Sequence, residues 1–306
     1  MRPEDHHQSA ARTMDVPEQL IRPEDWWPVD PHWQERYDRM VGIGRRTAAQ
    51  LDACVVMICR NSMPHLANTI GLLRELSLGF RSMSIYVHEN DSTDGTGEFL
   101  DVVADESFSM TVCHETLGGI DARGFGRERT ERLAYCRNKC LGWVSENASR
   151  TAWTIVLDSD AHGGWSVDGV FNSIGCLGSH NTRPDSFPAG GMASYGVYRP
   201  RRLVPEAAGI GEHGILQYDA WAARLNDWRD RREEVGFNWF FCLLPPVGSP
   251  PIEFLSAFGG LAVYRTDAFL AGGYTGDDCE HVGHHRNMRA AGYSMHLNPG
   301  CRYVAY

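Results

Sequence analysis

The chain has 306 residues, 42% hydrophobic and 22% charged, enough for one large α/β domain or two small ones. A formal net charge of −10 excludes the basic footprint of a nucleic-acid binder, and no apolar run reaches the length of a membrane span. Nine scattered cysteines without a C-x-x-C pair, and an opening stretch without signal-peptide character, point to a reduced, cytoplasmic setting that leaves room for peripheral membrane contact. Lys139 is the only lysine against 28 arginines, a skew that follows coding composition more than function. Arginine nonetheless suits bidentate phosphate contacts, and an acidic protein that handles a polyanion needs such local positive charge or a metal.

Residues 1–31 are polar and broken by prolines, and read as an irregular arm whose Trp26-Trp27 pair docks on the main domain. Trp33, Tyr37, Met40 and Ile43 give residues 32–51 a helical period. The continuous apolar run 53–59 predicts a strand buried on both faces. A helix over 64–78, a strand over 83–88, a helix over 95–103, a strand over 110–114, a long helix over 126–147 and a strand over 153–157 follow. That alternation means βαβ units and a mostly parallel sheet. After about residue 180 the sequence becomes rich in Gly, Pro and aromatics. It carries the segment Gln217-Tyr218-Asp219-Ala220-Trp221, a loop over 245–251 that reads as a lid, a short strand over 258–264, a helix over 280–291 and a last strand over 293–297. No internal repeat is present.

The strand over 153–157 runs straight into Asp158-Ser159-Asp160. Two carboxylates are thereby left at the C-terminal edge of a sheet, where open α/β folds bind ligands. Separated by one serine, they can approach a single hard cation, and oxygen donors suit Mg²⁺ or Mn²⁺ better than zinc. The alternative is a strand-end aspartate that only caps the next helix, which starts near Ser166.

A second signal is Glu89-Asn90-Asp91-Ser92-Thr93-Asp94-Gly95-Thr96, a strand end, a polar turn and a capped helix start. This segment resembles the "DDGSTDGT" signature of GT-A glycosyltransferases. The helix with Ala134-Tyr135-Cys136-Arg137-Asn138 resembles their "A-x-x-R-N" helix, and Asp158-Ser159-Asp160 falls where their D-x-D sits. "ENDSTDGT", "LAYCRN" and "QYDAWAAR" together look like the fungal capsule-associated α-1,3-mannosyltransferase family and its bacterial relatives. The resemblance spans roughly residues 53–300 in outline and is dense only at these motifs. It implies a GT-A, Rossmann-like, mostly parallel central sheet flanked by helices. In that layout residues 1–52 are an arm and helix, 53–180 the nucleotide-sugar half, and 181–306 the acceptor-binding and C-terminal half.

The same resemblance implies a metal-dependent transfer from a nucleotide-sugar donor, GDP-mannose favoured, to a hydroxyl acceptor, with Mn²⁺ or Mg²⁺ as cofactor and retention at the anomeric carbon. By motif matching, Cys59, Arg60 and Asn61 contact the nucleotide, Glu89 hydrogen-bonds the base, and Asp94 holds its turn by capping. Arg137, with Asn138 beside it, faces the nucleotide or the D-x-D, and Arg123 and Arg127 are candidates for the diphosphate. Asp158 and Asp160 hold the metal, with Asp160 essential for transfer, and Asp219 touches the acceptor or the sugar.

Near the C-terminus, Asp277-Asp278-Cys279-Glu280-His281 matches the family's "E-D" helix, but His281 stands where inverting members place a catalytic-base aspartate. That departure favours a retaining reaction with His281 as metal ligand or diphosphate contact and Glu280 orienting a sugar. A zinc site of His281, His284 and His285 is the alternative on this helix, although three histidines in five residues do not converge easily. Two other classes remain open: a nucleotidylyltransferase, which would carry a Gly-rich basic loop where Arg60-Asn61-Ser62-Met63-Pro64 stands, and a non-catalytic nucleotide-sugar binder. The aromatics Tyr218, Trp221, Trp228, Trp239, Phe240, Phe241, Phe254 and Phe258 read either as a sugar-stacking surface or as core.

Overall fold

The computed structural model describes residues 16–25, 27–105, 109–118, 126–179, 189–198, 216–219, 221–225 and 245–305. Two short 3₁₀ turns, Pro23–Asp25 and Pro31–Trp33, lead into α1 (Gln34–Ala48). The next units are β1 (Asp52–Cys59), α2 (His65–Ser77), β2 (Ser82–Asn90), α3 (Thr96–Asp105), β3 (Met110–Glu115), α4 (Arg127–Trp143) and β4 (Trp153–Asp158). After these come α5 (Val167–Ser179), β5 (Ala189–Tyr198), β6 (Leu216–Gln217), β7 (Ile252–Phe254), β8 (Leu261–Arg265), α6 (Thr266–Leu270), α7 (Glu280–Ala290) and β9 (Ser294–Val304).

The sheet runs β3-β2-β1-β4-β8-β5-β9-β7, with β6 paired to β5. Its first four strands are parallel, with Val55 opposite Ile85 on one side and Ile155 on the other. β8 then enters antiparallel to both β4 and β5, β9 lies parallel to β5, and β7 closes antiparallel to β9. The sequence halves on either side of residue 180 therefore share one sheet. Alternate residues of each buried strand feed two cores. Val55 and Met57 pack with Leu66, Ile70, Phe99 and Phe171, whereas Cys54 and Val56 pack with Ala134, Phe269, Val282 and Met288 on the opposite face.

The first of these layers is unusually close. A Cβ on Gly44 of α1 would stand 1.8 Å from the Phe171 carbonyl oxygen, and one on Gly175 of α5 would stand 2.1 Å from that of Met40. Only glycine at both positions lets α1 and α5 touch backbone to backbone. The arm docks as expected: the Asn68 side chain pairs with both backbone groups of Ile21, the Trp27 ring lies 5.2 Å from Tyr195, and buried Arg302 binds Glu24 and the Trp27 carbonyl. Trp26 lies outside the described residues.

The strands and helices through β4 match their expected places within a few residues. Asn147, expected to end the long helix, sits in a π-type turn over Val144–Ala148 instead. The other differences fall in the second half, where β6, β7 and α6 are elements that the sequence pattern did not announce. β5 went unread because Gly190, Gly191 and Gly196 interrupt its apolar pattern. β9 runs to Val304 rather than stopping near 297, carrying Pro299-Gly300 through a register shift. β8 starts at Leu261, since Phe258 leads into Gly259-Gly260, both at positive φ.

The loop over 245–251 is a correction. Val247 accepts the backbone N–H of Asp30, and Gly248 accepts Arg36, so the loop is fastened to the arm and lines no part of the cleft described next. Among the described residues no helix is long and apolar enough to cross a membrane.

Candidate active site

Three turns at the C-terminal ends of β1, β2 and β4 are stitched together by short polar side chains. Asp94 accepts the backbone N–H of Met63 at 2.9 Å and that of Thr96 at 3.1 Å, while Asn61 accepts Thr93 N–H at 2.8 Å. Ser62 N–H donates to Thr96 Oγ1, and Ser62 Oγ bonds Ser159 Oγ at 2.7 Å. Ser159 is thus the buried rivet of the D-S-D triplet, and its two neighbours are free to face a cleft of about 400 Å³.

Arg137, on α4, crosses that cleft. Its Nη2 donates to Asp158 Oδ1 at 2.7 Å, its Nε stands 3.6 Å from Glu280 Oε1, and its guanidinium lies 4.9 Å over the Phe258 ring. Burial works against its charge, but Asp158 and Glu280 outweigh burial and raise its pKa. Asp158 and Glu280 are themselves raised, by burial first and in spite of Arg137. Asp158 is raised further by Asp160, which is open to the cleft and also raised by the surrounding protein. Two tyrosines reach the acids at long hydrogen-bond distance: Tyr218 to Asp158 Oδ2 at 3.4 Å and Tyr303 to Asp160 Oδ1 at 3.5 Å. The two rings are stacked with centroids 5.7 Å apart.

Asp219 adopts φ 62, and its Oδ2 accepts Gly259 N–H at 3.1 Å. Burial, and after it the charges of Asp158 and Glu280, lift its carboxyl well above the ordinary range. Glu280 opens α7, and His281 follows it, fully buried and stacked on Phe258 with centroids 3.7 Å apart. Neither ring nitrogen of His281 makes a hydrogen bond, and burial, with Arg137 and the two neighbouring histidines, pushes its pKa well down. The imidazole is therefore neutral, as a metal ligand must be. His284 and His285 are buried packing residues, with His285 held between Ser256 Oγ and Tyr264 OH at 2.9 Å each. Among the described residues no three His, Cys, Asp or Glu side chains converge as a metal site, neither the three histidines of α7 nor the expected set of Asp158, Asp160 and His281.

The cleft brings together Cys59, Arg60, Arg137, Asp158, Asp160, Asp219, Glu280 and His281. Burial pushes the Cys59 thiol up to about 12, so it lines the cleft as an inert group. Four expected contacts stand elsewhere. Glu89 is buried beneath its turn, accepting Ser92 N–H and bonding His114 at 2.7 Å, and does not line the cleft. Asn61 is used by the turn, as above. Arg127 is exposed and paired with Glu131 one helical turn on. Asn138 is clamped to both backbone groups of Tyr274. Arg123, Trp228, Trp239, Phe240 and Phe241 lie outside the described residues.

Arg129, Arg132 and Tyr303 were missed. Arg129 and Arg132 were legible, because with Leu133, Cys136 and Arg137 they repeat at i, i+3, i+4, i+7 and i+8, a single face of α4 that lines the cleft. Nothing in the sequence points to Tyr303, which meets Asp160 across 143 residues.

No protein-family model and no curated protein matches the chain. Solved structures do match. GalNAc-T7 with UDP, GalNAc and Mn²⁺ aligns with TM-score 0.51 at 14% identity, over 94% of this chain and 56% of that one. The mannosyltransferase PcManGT from Pyrobaculum calidifontis, in complex with GDP-Man and Mn²⁺, gives 0.48 at 15% identity, over 89% and 65%. S. aureus TarS 1–349 gives 0.46 at 12% identity, over 83% and 60%. The chain spans between 56% and 65% of the length of these three chains, and 36% of S. aureus TarS. The GalNAc-T7 alignment shows the fold, which is that of the GT-A glycosyltransferases.

Proposed function

We propose that this protein is a metal-dependent glycosyltransferase that moves a sugar from a nucleotide-sugar donor to a hydroxyl, with GDP-mannose the favoured donor and retention the favoured outcome. The observation that carries the reading is the gathering of Asp158, Asp160, Asp219 and Glu280 around Arg137 in one cleft at the strand ends. Asp158 and Glu280 flank the buried Arg137, Asp160 and Asp219 add carboxyls, and Arg60, Arg129 and Arg132 line the same cleft, a mixed-charge setting suited to a divalent ion and a phosphate ligand together.

The donor set fits Mn²⁺ or Mg²⁺. Asp158 and Asp160 supply oxygens, and the neutral imidazole of His281, 3.5 Å from Glu280 Oε1, lines the same cleft. An ion held by one or two carboxylates and the ligand's own phosphates needs no preformed protein cage, and none is present among the described residues. When bound, the ion supplies Lewis-acid stabilisation of charge on the leaving phosphate.

The chain's own residues do the rest. Arg137 keeps Asp158 and Glu280 in fixed positions across the cleft. Asp219, its carboxyl biased toward the protonated form by burial, orients a hydroxyl by hydrogen bonding instead of drawing its proton. The hydroxyl proton then passes to the donor's phosphate oxygen, consistent with His281 standing where a carboxylate base is expected. Tyr303 and Tyr218 steady the two metal acids from the acceptor side.

A thermal-shift screen of GDP, UDP, dTDP and their sugars with Mn²⁺ tests the reading. GDP and GDP-mannose are expected to stabilise most, by about 2.7 kcal/mol at a ligand concentration a hundredfold above Kd. Asp160→Ala is expected to remove the Mn²⁺-dependent part and to lower transfer by at least about a thousandfold, with the unliganded melting temperature unchanged. No stabilisation by any nucleotide, or an active and well-folded Asp160→Ala protein, overturns it. Stabilisation by UDP instead of GDP moves the donor assignment.

A further inference from the structure

The cleft's arginines differ in what already holds them. Arg137 is hydrogen-bonded to Asp158 and ion-paired with Glu280 at 3.6 Å, so two carboxylates hold its charge although its Nε makes no hydrogen bond. Arg129 lies 5.9 Å over the Trp221 ring and within the field of Asp160, and Arg60 within that of Asp91. Arg132 has no carboxylate partner among the described residues. It lines the cleft from the same face of α4, and its Nη1 is shielded from solvent without a hydrogen-bond acceptor. A guanidinium cannot shed its charge, so an unpaired N–H in a sheltered cleft is a standing cost that a ligand acceptor would remove. Around it lie Cys136 and Asn90, neither of them acidic, one turn along the helix and at the end of β2.

From this we infer that Arg132 is the anion-binding residue of the cleft and takes a diphosphate group through its planar pair of N–H donors. The inference rests on the sugar-transfer reading only for the identity of the whole ligand. The chemistry it names, two linked phosphates, is recognised by charge and fork geometry alone. It also reassigns a role. Arg137, which the motif marks, is consumed in holding acids, while the unmarked arginine five residues earlier keeps its charge for the ligand.

Titration of the intact protein with inorganic pyrophosphate, GDP and guanosine separates the outcomes. Arg132→Gln is expected to weaken pyrophosphate and GDP by about 10- to 100-fold while leaving guanosine unchanged. Arg132→Lys, which keeps the charge and loses the fork, is expected to weaken pyrophosphate less. Should only Arg132→Lys fold, an unchanged pyrophosphate affinity overturns the inference. It is also overturned by Arg132→Gln binding pyrophosphate as the wild type does, by guanosine losing as much as GDP, or by a wild type that binds neither pyrophosphate nor GDP. Arg132-dependent pyrophosphate binding without binding of any nucleotide sugar would keep this inference and sink the sugar-transfer reading. Turnover of a nucleotide sugar indifferent to Arg132 would do the reverse.

Discussion

The two halves of the cleft are held by different kinds of contact. On the N-terminal side, strands β1, β2 and β4 are parallel neighbours whose turns are knit by Asn61, Ser62, Asp94 and Ser159. These are short neutral or singly charged links, those of Asn61 and Asp94 exposed and those of Ser62 and Ser159 buried. On the C-terminal side, Arg224 is fully buried, grips both oxygens of Asp278 at 3.0 and 2.9 Å, and donates to the carbonyls of Trp221 and Ala223. That ion pair fastens the segment carrying Tyr218 and Asp219 to the turn that starts α7 and presents Glu280. The lesson is that one half of the site is made by repeating local units, and the other by a few buried long-range contacts that each hold much of it.

Mutations should separate the halves. Arg224→Met leaves Asp278 unpaired and is expected to cost about 3–5 kcal/mol, read by denaturant unfolding. A loss below about 1 kcal/mol would erase the contrast. His285 lies in the core of the C-terminal side, and burial pushes its pKa down to about 3. Because the unfolded chain takes up that proton first, near pH 6.5, its contribution is complete above about pH 6.5 and is lost as pH falls toward 3. His285→Gln should therefore flatten the stability-versus-pH slope between pH 6 and 4 by up to about 1.4 kcal/mol per pH unit. Opposing shifts from the cleft carboxyls cancel in this difference, and parallel wild-type and variant slopes would refute it. The smallest effect belongs to the N-terminal side: Asp94→Ala, removing an exposed cap, is expected to cost about 1 kcal/mol in the same unfolding measurement.

The legibility of the molecule follows the same division. The D-S-D acids, the capped turn after β2 and the helix bearing Arg137 were readable because each is a local pattern, a buried run meeting a polar turn. Asp219 and Glu280 were found by motif and do line the cleft. β5 was not readable, since its glycines answer to Tyr264, Tyr293 and Gly259 in space and leave no periodic trace. Nor was the lid expected over 245–251, whose backbone is tied to an arm more than 200 residues away.

By itself the sequence determined the parallel βαβ half, the acids at its edge and the helix that carries Arg137, because period, capping and apolar runs act over a few residues. Tertiary structure alone decided which charges are spoken for. The order β4-β8-β5-β9 carries Tyr303 to Asp160, and the approach of α7 to α4 commits Arg137 to Glu280 as well as Asp158. Whether an arginine can meet a ligand depends on the carboxylates packed around it. Those arrive from strands and helices far along the chain, so that answer exists only in the folded state.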